Sequence, residues 1–341
     1  MPERLKTGKI FICLLTIAIL AVSAPCLRAQ GRVIHLSEAD IAHQAVDESA
    51  LRSQLEFLTD SLCAGRATGT AGANTATFWL AAQFRSLGLQ APGDSYIRHF
   101  RANGKTGRNV LGILRGSQRH PDAGYVILAA SYDGLGILDG RMYPGADSNA
   151  SGITALLGVA RMIRSMQRIG KNYGRNVLLV AIDGKNLSLS GSQALFDMLG
   201  DGSLTDPATG RAITRDRIAL FVNLDQLGST LSPIHSGRPD YLLMLTGATG
   251  TRNATLDACN TRYGTGLDLG YDYYGSRDFT RLFYSRVSDQ RPFVEGGIPA
   301  VMFTSGITLN NNKVQDTLQT LDLSVLKRRI WLIFHWMERI I

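Results

Sequence analysis

Cysteine and histidine, the residues that build most structural zinc sites, are scarce in this sequence. Its 341 residues include four cysteines and six histidines, with no Cys-x-x-Cys pair and no Cys/His cluster. A structural zinc site is therefore not expected. Cys13 and Cys26 lie within residues 1–29. Cys63 and Cys259 remain, either as one disulfide in an oxidising compartment or as two unrelated buried thiols.

No linker, internal repeat or low-complexity tract divides the sequence, and residues 30–341 are predicted to form one domain. The net charge is +8, but the arginines and lysines are scattered, apart from small groups such as Arg115 with Arg119. They are not interleaved with aromatic residues, so the usual pattern of nucleic acid binding is lacking. Attraction to an anionic surface or polymer is the function that the charge itself suggests.

Residues 1–29 have the features of a signal peptide. One arginine and two lysines in the first nine residues precede the apolar run Ile10–Val22, which is shorter than a membrane-spanning helix requires. An acceptable cleavage site lies before Gln30. The mature chain is expected to be exported to a periplasmic or extracellular location, with no membrane span after processing. The alternative is an uncleaved anchor.

Short apolar runs of strand type alternate with helical patterns along the mature chain. This alternation predicts an α/β fold with a mostly parallel sheet covered by helices on both faces. Strands are predicted at Tyr96–Arg101, Asn109–Arg115, Tyr125–Ala130, Asn176–Ile182, Ile218–Leu224, Tyr241–Leu245 and Pro299–Thr304. Helices are predicted at Ile41–Leu58, Ala73–Leu87, Gly191–Leu199, Arg277–Tyr284 and Leu323–Ile340, with a further helix directly after Gly152.

The stretch Pro144–Gly152 is the junction on which the functional hypothesis depends. It reads Pro-Gly-Ala-Asp-Ser-Asn-Ala-Ser-Gly and lies between the predicted strand Tyr125–Ala130 and an amphipathic helix. α/β enzymes place their chemistry at such junctions, at the carboxyl ends of strands. Ser148, Asn149 and Ser151 are all candidate N-caps of the helix. The alternative is a tight connection with no role beyond its turn.

A series of short motifs extends along most of the mature chain. In order they are Gly65-Arg66-x-x-Gly69-Thr70-x-Gly72, Asn109-Val110, Tyr132-Asp133, Pro144-Gly145-Ala146-Asp147, Asn149-Ala150-Ser151-Gly152, Gly191-Ser192, Leu224-Asp225, Ser288-Asp289, Gly297-Ile298-Pro299-Ala300 and Asp316-Thr317. Together they resemble the co-catalytic zinc exopeptidases, the aminopeptidases of metallopeptidase family 28, which share their fold with the glutaminyl cyclases. The resemblance implies a single three-layer domain, with a mixed, mostly parallel sheet of about eight strands between helices.

The resemblance also implies which residue type each position of a metal site would hold. It implies one bridging Asp, two His, one Glu and one Asp as zinc ligands, with a second Glu as general base. This chain keeps only the ligand Asp225, and none of its histidines lies on a motif position. The other positions hold Ser131 for the first His, Ser148 for the bridging Asp, Lys185 for the base, Asn186 for the ligand Glu and Asn312 for the last His.

These exchanges remove both the ligands and the charge that a two-zinc site needs. A catalytic zinc takes about three ligands from His, Asp, Glu or Cys, plus a water. The ammonium of Lys185 would repel a dication and cannot accept a proton as the glutamate base does. The chain is therefore predicted to bind no zinc and to have no catalytic residue. The predicted metal-free pocket, for a peptide or another small ligand, comprises Ser131, Asp133, Asp147, Ser148, Lys185, Asn186, Asp225, Asp289 and Asn312.

The leading hypothesis is an exported, catalytically inactive aminopeptidase-like protein. Two alternatives remain, an active zinc aminopeptidase with rearranged ligands and a surface interaction module. Lys185 and Asp225 are expected to form an ion pair where the cations would lie, because a buried carboxylate without metal needs a partner. Otherwise Lys185 points to solvent. The resemblance further suggests a cis peptide bond near Ser148-Asn149.

Two other chemistries are compatible with the residue types of the pocket. Ser131 or Ser148 could act with Lys185 as nucleophile and base. This requires a lowered lysine pKa, and a neighbouring Asp225 would act in the opposite direction. A different metal, such as calcium, could be held by the carboxylates of Asp133, Asp147 and Asp289.

Overall fold

An eight-stranded mixed β-sheet organises the part of the chain that the computed structural model describes, residues 36–117, 119–120, 123–247 and 251–341. The predicted signal peptide, residues 1–29, lies outside the described residues. The strands are β1 (Ile97–Ala102), β2 (Lys105–Leu114), β3 (Tyr125–Ser131), β4 (Gly136–Leu138), β5 (Arg141–Tyr143), β6 (Asn176–Ile182), β7 (Ile218–Leu224), β8 (Tyr241–Thr246), β9 (Asp268–Gly270) and β10 (Ala300–Thr304).

The sheet has the strand order β1-β2-β6-β3-β7-β10-β8-β9, and β4 and β5 form a separate hairpin. The central strands β6, β3, β7 and β10 are parallel to one another, as are β8 and β9. The strands β1, β2 and β6 pair antiparallel, as do β10 and β8. The predicted α/β fold with a mixed, mostly parallel sheet of eight strands is therefore confirmed.

Helices cover the sheet on both faces. They are α1 (Glu38–Gln44), α2 (Glu48–Thr59), α3 (Ala71–Ser86), α4 (Ser151–Arg168), α5 (Ser190–Asp201), α6 (Thr251–Tyr263), α7 (Arg277–Ser285), α8 (Arg291–Glu295) and α9 (Leu323–Met337). None of these helices is long and apolar enough to cross a membrane.

Alternate residues of the central strand β3 belong to different layers of the core. Val126 and Leu128 pack in a cluster with residues of α2, α3, α4 and α9, whereas Ile127 and Ala129 pack in a second cluster with residues of α5 and α8. Because both faces are covered, every residue of β3 is buried. This is why the strand reads as a continuous apolar run and not as an alternating one.

The single helix predicted at Ile41–Leu58 is wrong, because the chain forms two helices there. α1 ends at Gln44, and Asp47 caps the start of α2 by accepting a hydrogen bond from the backbone N–H of Ala50 at 2.8 Å. Buried Val46 lies in the connection. Its apolar side chain continues the helical spacing across the break, so the pattern alone does not reveal it.

Several elements in the described part of the chain were not predicted. The helix α6 buries only Leu256 and Cys259 among its described side chains, so its apolar stripe is weak. The strands β4, β5 and β9 have three residues each, and α8 has five. Cys63 and Cys259 are both buried free thiols, so the alternative in which they form a disulfide is wrong.

Candidate functional site

Polar side chains follow three neighbouring parallel strands of the sheet. β3 ends at Ser131 and is followed by Asp133, β6 is followed by Lys185 and Asn186, and β7 is followed by Asp225. Since β6, β3 and β7 run parallel, their carboxyl ends lie at one edge of the sheet. Such an edge is where open α/β sheets bind ligands.

A cavity of about 330 Å³ opens at this edge. Seven of the nine predicted pocket residues line it: Ser131, Asp133, Ser148, Lys185, Asn186, Asp225 and Asn312. The polar side chains of Asn149, Gln226 and Asn311 were not predicted to line the cavity, and neither was the apolar part of the wall, which includes Tyr273 and Phe283. The pocket thus combines neutral polar groups, one lysine, the carboxyl groups of Asp133 and Asp225, and an apolar surface.

Asp147 does not line this cavity, although it was predicted to do so. Its Oδ1 accepts hydrogen bonds from the backbone N–H groups of Gly228 at 2.7 Å and Ser229 at 3.2 Å. Burial, together with the neighbouring carboxyl of Asp316, raises the pKa of Asp147 to about 6. The side chain therefore holds the loop after β7 in place and is not available to a ligand in the pocket.

Lys185 and Asp225 form an ion pair in the cavity, as predicted. Lys185 Nζ lies 2.5 Å from Asp225 Oδ2, and the two side chains are 18% and 5% exposed. Ser288 Oγ donates a second hydrogen bond to the same carboxylate oxygen at 2.7 Å. Burial by itself would lower the pKa of Lys185, but the Asp225 and Asp289 carboxylates outweigh it and raise that pKa. The lysine is therefore an ammonium, and the alternative in which it points to solvent is wrong.

Asp289 also lies outside the cavity wall, fully buried near this pair. Neither of its carboxyl oxygens has a hydrogen-bond partner of normal geometry among the described residues. Burial raises the pKa of Asp289 to about 7, Lys185 opposes this rise, and the charges of Asp225 and Asp133 add to it. A buried carboxyl with such a pKa changes its charge near neutral pH.

Asp133 fixes the loop that carries the lysine. Its two oxygens accept hydrogen bonds from the backbone N–H groups of Lys185 and Asn186, each at 2.9 Å. The side-chain amide of Asn186 donates to Asp133 Oδ2 at 3.1 Å. Burial, with the nearby Asp183 carboxyl, raises the pKa of Asp133 to about 6. The carboxyl of Asp133 thus orients the neutral amide of Asn186.

The turn Pro144–Gly152 brings Asn149 between the ends of two strands. The side-chain amide of Asn149 donates to the carbonyl oxygens of Ser131 at 3.2 Å and Leu224 at 3.0 Å, and its oxygen accepts from the backbone N–H of Gln226 at 2.8 Å. A Cβ at Gly152 would lie 2.4 Å from this amide. Only glycine therefore fits where the turn meets the strand ends.

The predicted N-caps of the helix after this turn are wrong. α4 begins at Ser151, its N-cap is Ala150, and no side chain caps it. Asn149 is engaged with the strand ends, and Ser151 Oγ donates to the carbonyl oxygen of Asp147 at 2.9 Å. The Ser148-Asn149 peptide bond is cis, in agreement with the expectation from the resemblance.

Arg66 and Asp316 hold the turn from outside the cavity. The fully buried guanidinium of Arg66 donates to the carbonyl oxygens of Tyr132, Pro144 and Gly145 at 2.7–2.9 Å, and to that of Leu58. Asp316 accepts from the backbone N–H groups of Asp147 at 2.7 Å and Ser148 at 3.0 Å. Both residues belong to the sequence motifs, but this role was not predicted for either, because most of their partners are distant along the chain.

The residues at this edge do not fit zinc. The described residues include no group of three or more His, Cys, Asp or Glu side chains that could share a metal ion. This also makes the calcium hypothesis wrong for the described part of the chain. A serine–lysine nucleophile would need a lysine with a lowered pKa. The pKa of Lys185 is raised, so the geometry does not support that chemistry.

Solved structures share this architecture. The LapA aminopeptidase of Legionella pneumophila aligns with a TM-score of 0.65 at 17% identity, over 88% of this chain and 73% of its own. BSAP, a zinc aminopeptidase from Bacillus subtilis, gives 0.64 at 13% identity, over 86% and 95%. Macrostomum lignano glutaminyl cyclase gives 0.65 at 14% identity, over 89% and 92%. The fold is that of the zinc aminopeptidases.

A match to a protein-family model shows the family of this chain. The model of peptidase family M28 matches residues 109–337, and the chain belongs to this family. A probable zinc metalloprotease of Pyrenophora tritici-repentis is 25% identical over 290 residues, which is 75% of this chain and 62% of that protein. Aminopeptidase YwaD of Bacillus subtilis is 25% identical over 203 residues, 59% of this chain and 36% of that protein. The BOS complex subunit ncln of Danio rerio is 28% identical over 144 residues, 40% of this chain and 24% of that protein. The matched part therefore spans less than two thirds of each relative.

Proposed function

We propose that this chain is an exported aminopeptidase-like protein without peptidase activity, in which the Lys185–Asp225 ion pair occupies the place of the family's metal ions. The observation that carries this proposal is the position of Lys185 Nζ, 2.5 Å from the one ligand carboxylate that the chain retains. Hydrolysis in this family depends on zinc, and a lysine ammonium cannot activate water.

Electrostatics supports the loss of the metal. Two unit charges 4 Å apart interact with about 4 kcal/mol at the effective dielectric constant of a partly buried site, so an ammonium would repel a dication there by about 8 kcal/mol. The Asp225 carboxylate is already paired with Lys185, and Ser131, Ser148, Asn186 and Asn312 supply no further negative charge to offset this repulsion. A bound zinc would therefore require Lys185 to lose its proton or to leave the cavity.

The cavity itself is retained, and we propose that it binds a peptide or another small ligand. Its volume of about 330 Å³ lies within the range typical of ligand pockets, and its lining combines apolar surface with a few polar groups. Asn311 and Asn312 supply polar groups to this lining, and Tyr273 and Phe283 supply apolar surface. Binding can be measured as a ligand-dependent rise in melting temperature, in the absence of added metal.

Metal content and activity, measured on the same purified chain, test the proposal. We expect inductively coupled plasma mass spectrometry to give far less than one zinc ion per chain. We also expect no hydrolysis of aminoacyl substrates above background, with or without added zinc. Aminopeptidase YwaD serves as the active control in the same assay. About two zinc ions per chain, with hydrolysis that a chelator abolishes, would disprove the proposal.

A variant in which the family's residue types are restored tests whether the backbone of the pocket still has the family's geometry. It carries Ser131→His, Ser148→Asp, Lys185→Glu, Asn186→Glu and Asn312→His. If the pocket keeps the backbone geometry of the family, this variant gains zinc with a Kd of about 1 μM or tighter, which corresponds to about 8 kcal/mol. A folded variant that takes up no zinc would show that the backbone has also diverged.

An active zinc aminopeptidase with rearranged ligands is the alternative. It is favoured by the charges of Asp225, Asp289 and Asp133, which all act on Lys185 and would attract a cation if the lysine left. The metal measurement on the unmodified chain separates this alternative from the main proposal. A surface interaction module is the other alternative, and one relative is by its name a complex subunit. It would give neither activity nor ligand-dependent stabilisation.

A further inference from the structure

A second concavity, of about 420 Å³, shares no lining residue with the ion-pair pocket. Its wall comes from the loop after β2, from the carboxyl-terminal end of α4 and from the segment that follows α4. We call it the arginine groove, after its cationic lining residues Arg115, Arg119, Arg164, Arg168 and Lys171. Its remaining lining residues are neutral, and none of them is Asp or Glu.

Carboxylates outside the groove neutralise two of these five cations. Arg115 pairs with the buried carboxylate of Asp206. Lys171 Nζ lies 2.7 Å from Glu338 and 3.2 Å from Glu38. These contacts fix the direction of both side chains, and they leave the three remaining arginines as the source of net positive charge.

Arg164 is held in the groove by neutral partners only. Its Nε donates to the carbonyl oxygen of Leu87 at 2.9 Å, and its Nη1 donates to Gln167 Oε1 at 3.0 Å. Arg119 and Arg168 are exposed and have no carboxylate partner among the described residues. Three guanidinium charges therefore converge on one concavity without a compensating acid in the described part of the chain, an arrangement that favours an anion.

The spacing along α4 indicates an anion with more than one charged group. Arg164 and Arg168 are four residues apart and lie on the same face of the helix. Both also line a neighbouring concavity of about 460 Å³, to which Arg161 contributes. The strip from Arg161 to Arg168 on α4 is about 10 Å long at the rise of an α-helix. A single carboxylate or inorganic phosphate would engage only part of it.

We propose that the arginine groove binds a ligand with two or more phosphate groups, either free in solution or presented as lipid headgroups. Guanidinium groups match phosphate oxygens with paired hydrogen bonds, which is the geometry that distinguishes arginine from lysine. This binding is independent of the ion-pair pocket and of whether the chain has peptidase activity.

Titration of the full mature chain with tripolyphosphate, by calorimetry at low ionic strength, tests the proposal. Binding is expected to weaken about tenfold in the Arg164→Gln/Arg168→Gln variant, which corresponds to about 1.4 kcal/mol. The matched control, Arg52→Gln/Arg277→Gln, removes the same two charges from exposed sites on α2 and α7. It is expected to bind within about twofold of the unmodified chain.

The single variant Arg168→Gln guards against a folding defect, because Arg168 is exposed and removal of its charge leaves the bonds of Arg164 intact. It is expected to weaken binding about threefold. Equal weakening in both double variants, or citrate binding as tight as tripolyphosphate binding, would overturn the proposal.

Vesicles distinguish the two sources of phosphate. Co-sedimentation with phosphatidylcholine vesicles that contain phosphatidylglycerol, lost in Arg164→Gln/Arg168→Gln but kept in Arg52→Gln/Arg277→Gln, would assign the groove to lipid headgroups. Tripolyphosphate binding without co-sedimentation would assign it to soluble phosphates. If the unmodified chain binds neither probe, the proposal is wrong.

Discussion

Two regions at the same edge of the sheet use their buried polar groups in opposite ways. The frame consists of the turn Pro144–Gly152 with Arg66 and Asp316, and its side chains bind backbone groups. The centre consists of Lys185, Asp225, Ser288 and Asp289, whose side chains compensate one another's charge. The backbone contacts of the frame depend on the fold, whereas different residue types of suitable charge can satisfy the charge balance of the centre. The frame can therefore persist while the centre changes its chemistry.

This comparison predicts that the largest loss of stability comes from the frame. Arg66→Met leaves buried carbonyl oxygens of three separate segments without a donor, and we expect a loss of about 4 kcal/mol in the free energy of unfolding. Urea denaturation followed by circular dichroism measures it. The control Arg175→Met removes an exposed arginine that donates to the Ile340 carbonyl at 2.7 Å. It should cost less than about 1 kcal/mol.

A smaller effect is expected in the centre, and it should be reversible by a second substitution. Lys185→Met leaves the buried Asp225 carboxylate without its cation and with the hydroxyl of Ser288 as its remaining donor. We expect a cost of about 3 kcal/mol, most of which Lys185→Met/Asp225→Asn recovers. Urea denaturation of both single variants, Lys185→Met and Asp225→Asn, and of the double variant gives the coupling free energy between the two side chains. For the exposed Arg291–Glu295 pair, at 2.9 Å, Arg291→Met should cost below about 1 kcal/mol. A centre that proves costlier than the frame would refute the comparison.

The smallest effect concerns pH. The folded-state pKa of Asp289, about 7, lies above its ordinary value of 3.8 because of burial. The folded state therefore holds a proton that the unfolded state has lost, and this contribution to stability, complete below pH 4, disappears as the pH rises through about 7. Between pH 5 and pH 8 the contribution falls by roughly 2 to 3 kcal/mol. Asp133 and Asp147, with pKa values of about 6, act in the same direction.

Asp289→Asn should make the unfolding free energy less dependent on pH by that amount, as measured by urea denaturation at intervals between pH 5 and pH 8. The control Asp139→Asn changes an exposed aspartate in the hairpin of β4 and β5, at a positive φ that asparagine accepts. It should leave the slope unchanged. An unchanged slope in Asp289→Asn would show that this carboxyl is ionised throughout.

The strands of the fold were predicted best where burial on both faces gives a continuous apolar run. The bounds of Asn176–Ile182 and Ile218–Leu224 agree with the structure. The short edge strand β9, Asp268–Gly270, depends on pairing with β8, and no local pattern encodes such a partner. The start of α4 was misplaced for a similar reason, because Asn149 binds groups that are distant in sequence.

In the centre, the motifs placed most of the residues, and residue chemistry was enough to predict the ion pair. The contacts of the frame were not predictable from the sequence. Arg66 donates to the carbonyl oxygens of Leu58, Tyr132 and Pro144, which only the folded chain brings together. The predicted signal peptide, the ligand and the absence of zinc stay predictions. The arginine groove was equally hidden, since Arg115 and Arg164 are brought together only by the fold.

The cation in this pocket, the ammonium of Lys185, is part of the polypeptide chain and not a bound ion. A zinc ion must be acquired, and it can be removed by a chelator or fail to arrive when the surroundings are poor in metal. Lys185 is present in every copy from the moment of synthesis, and its contact with Asp225 needs no loading step. The positive charge of the pocket is therefore independent of metal supply, of competing proteins and of the compartment in which the chain folds.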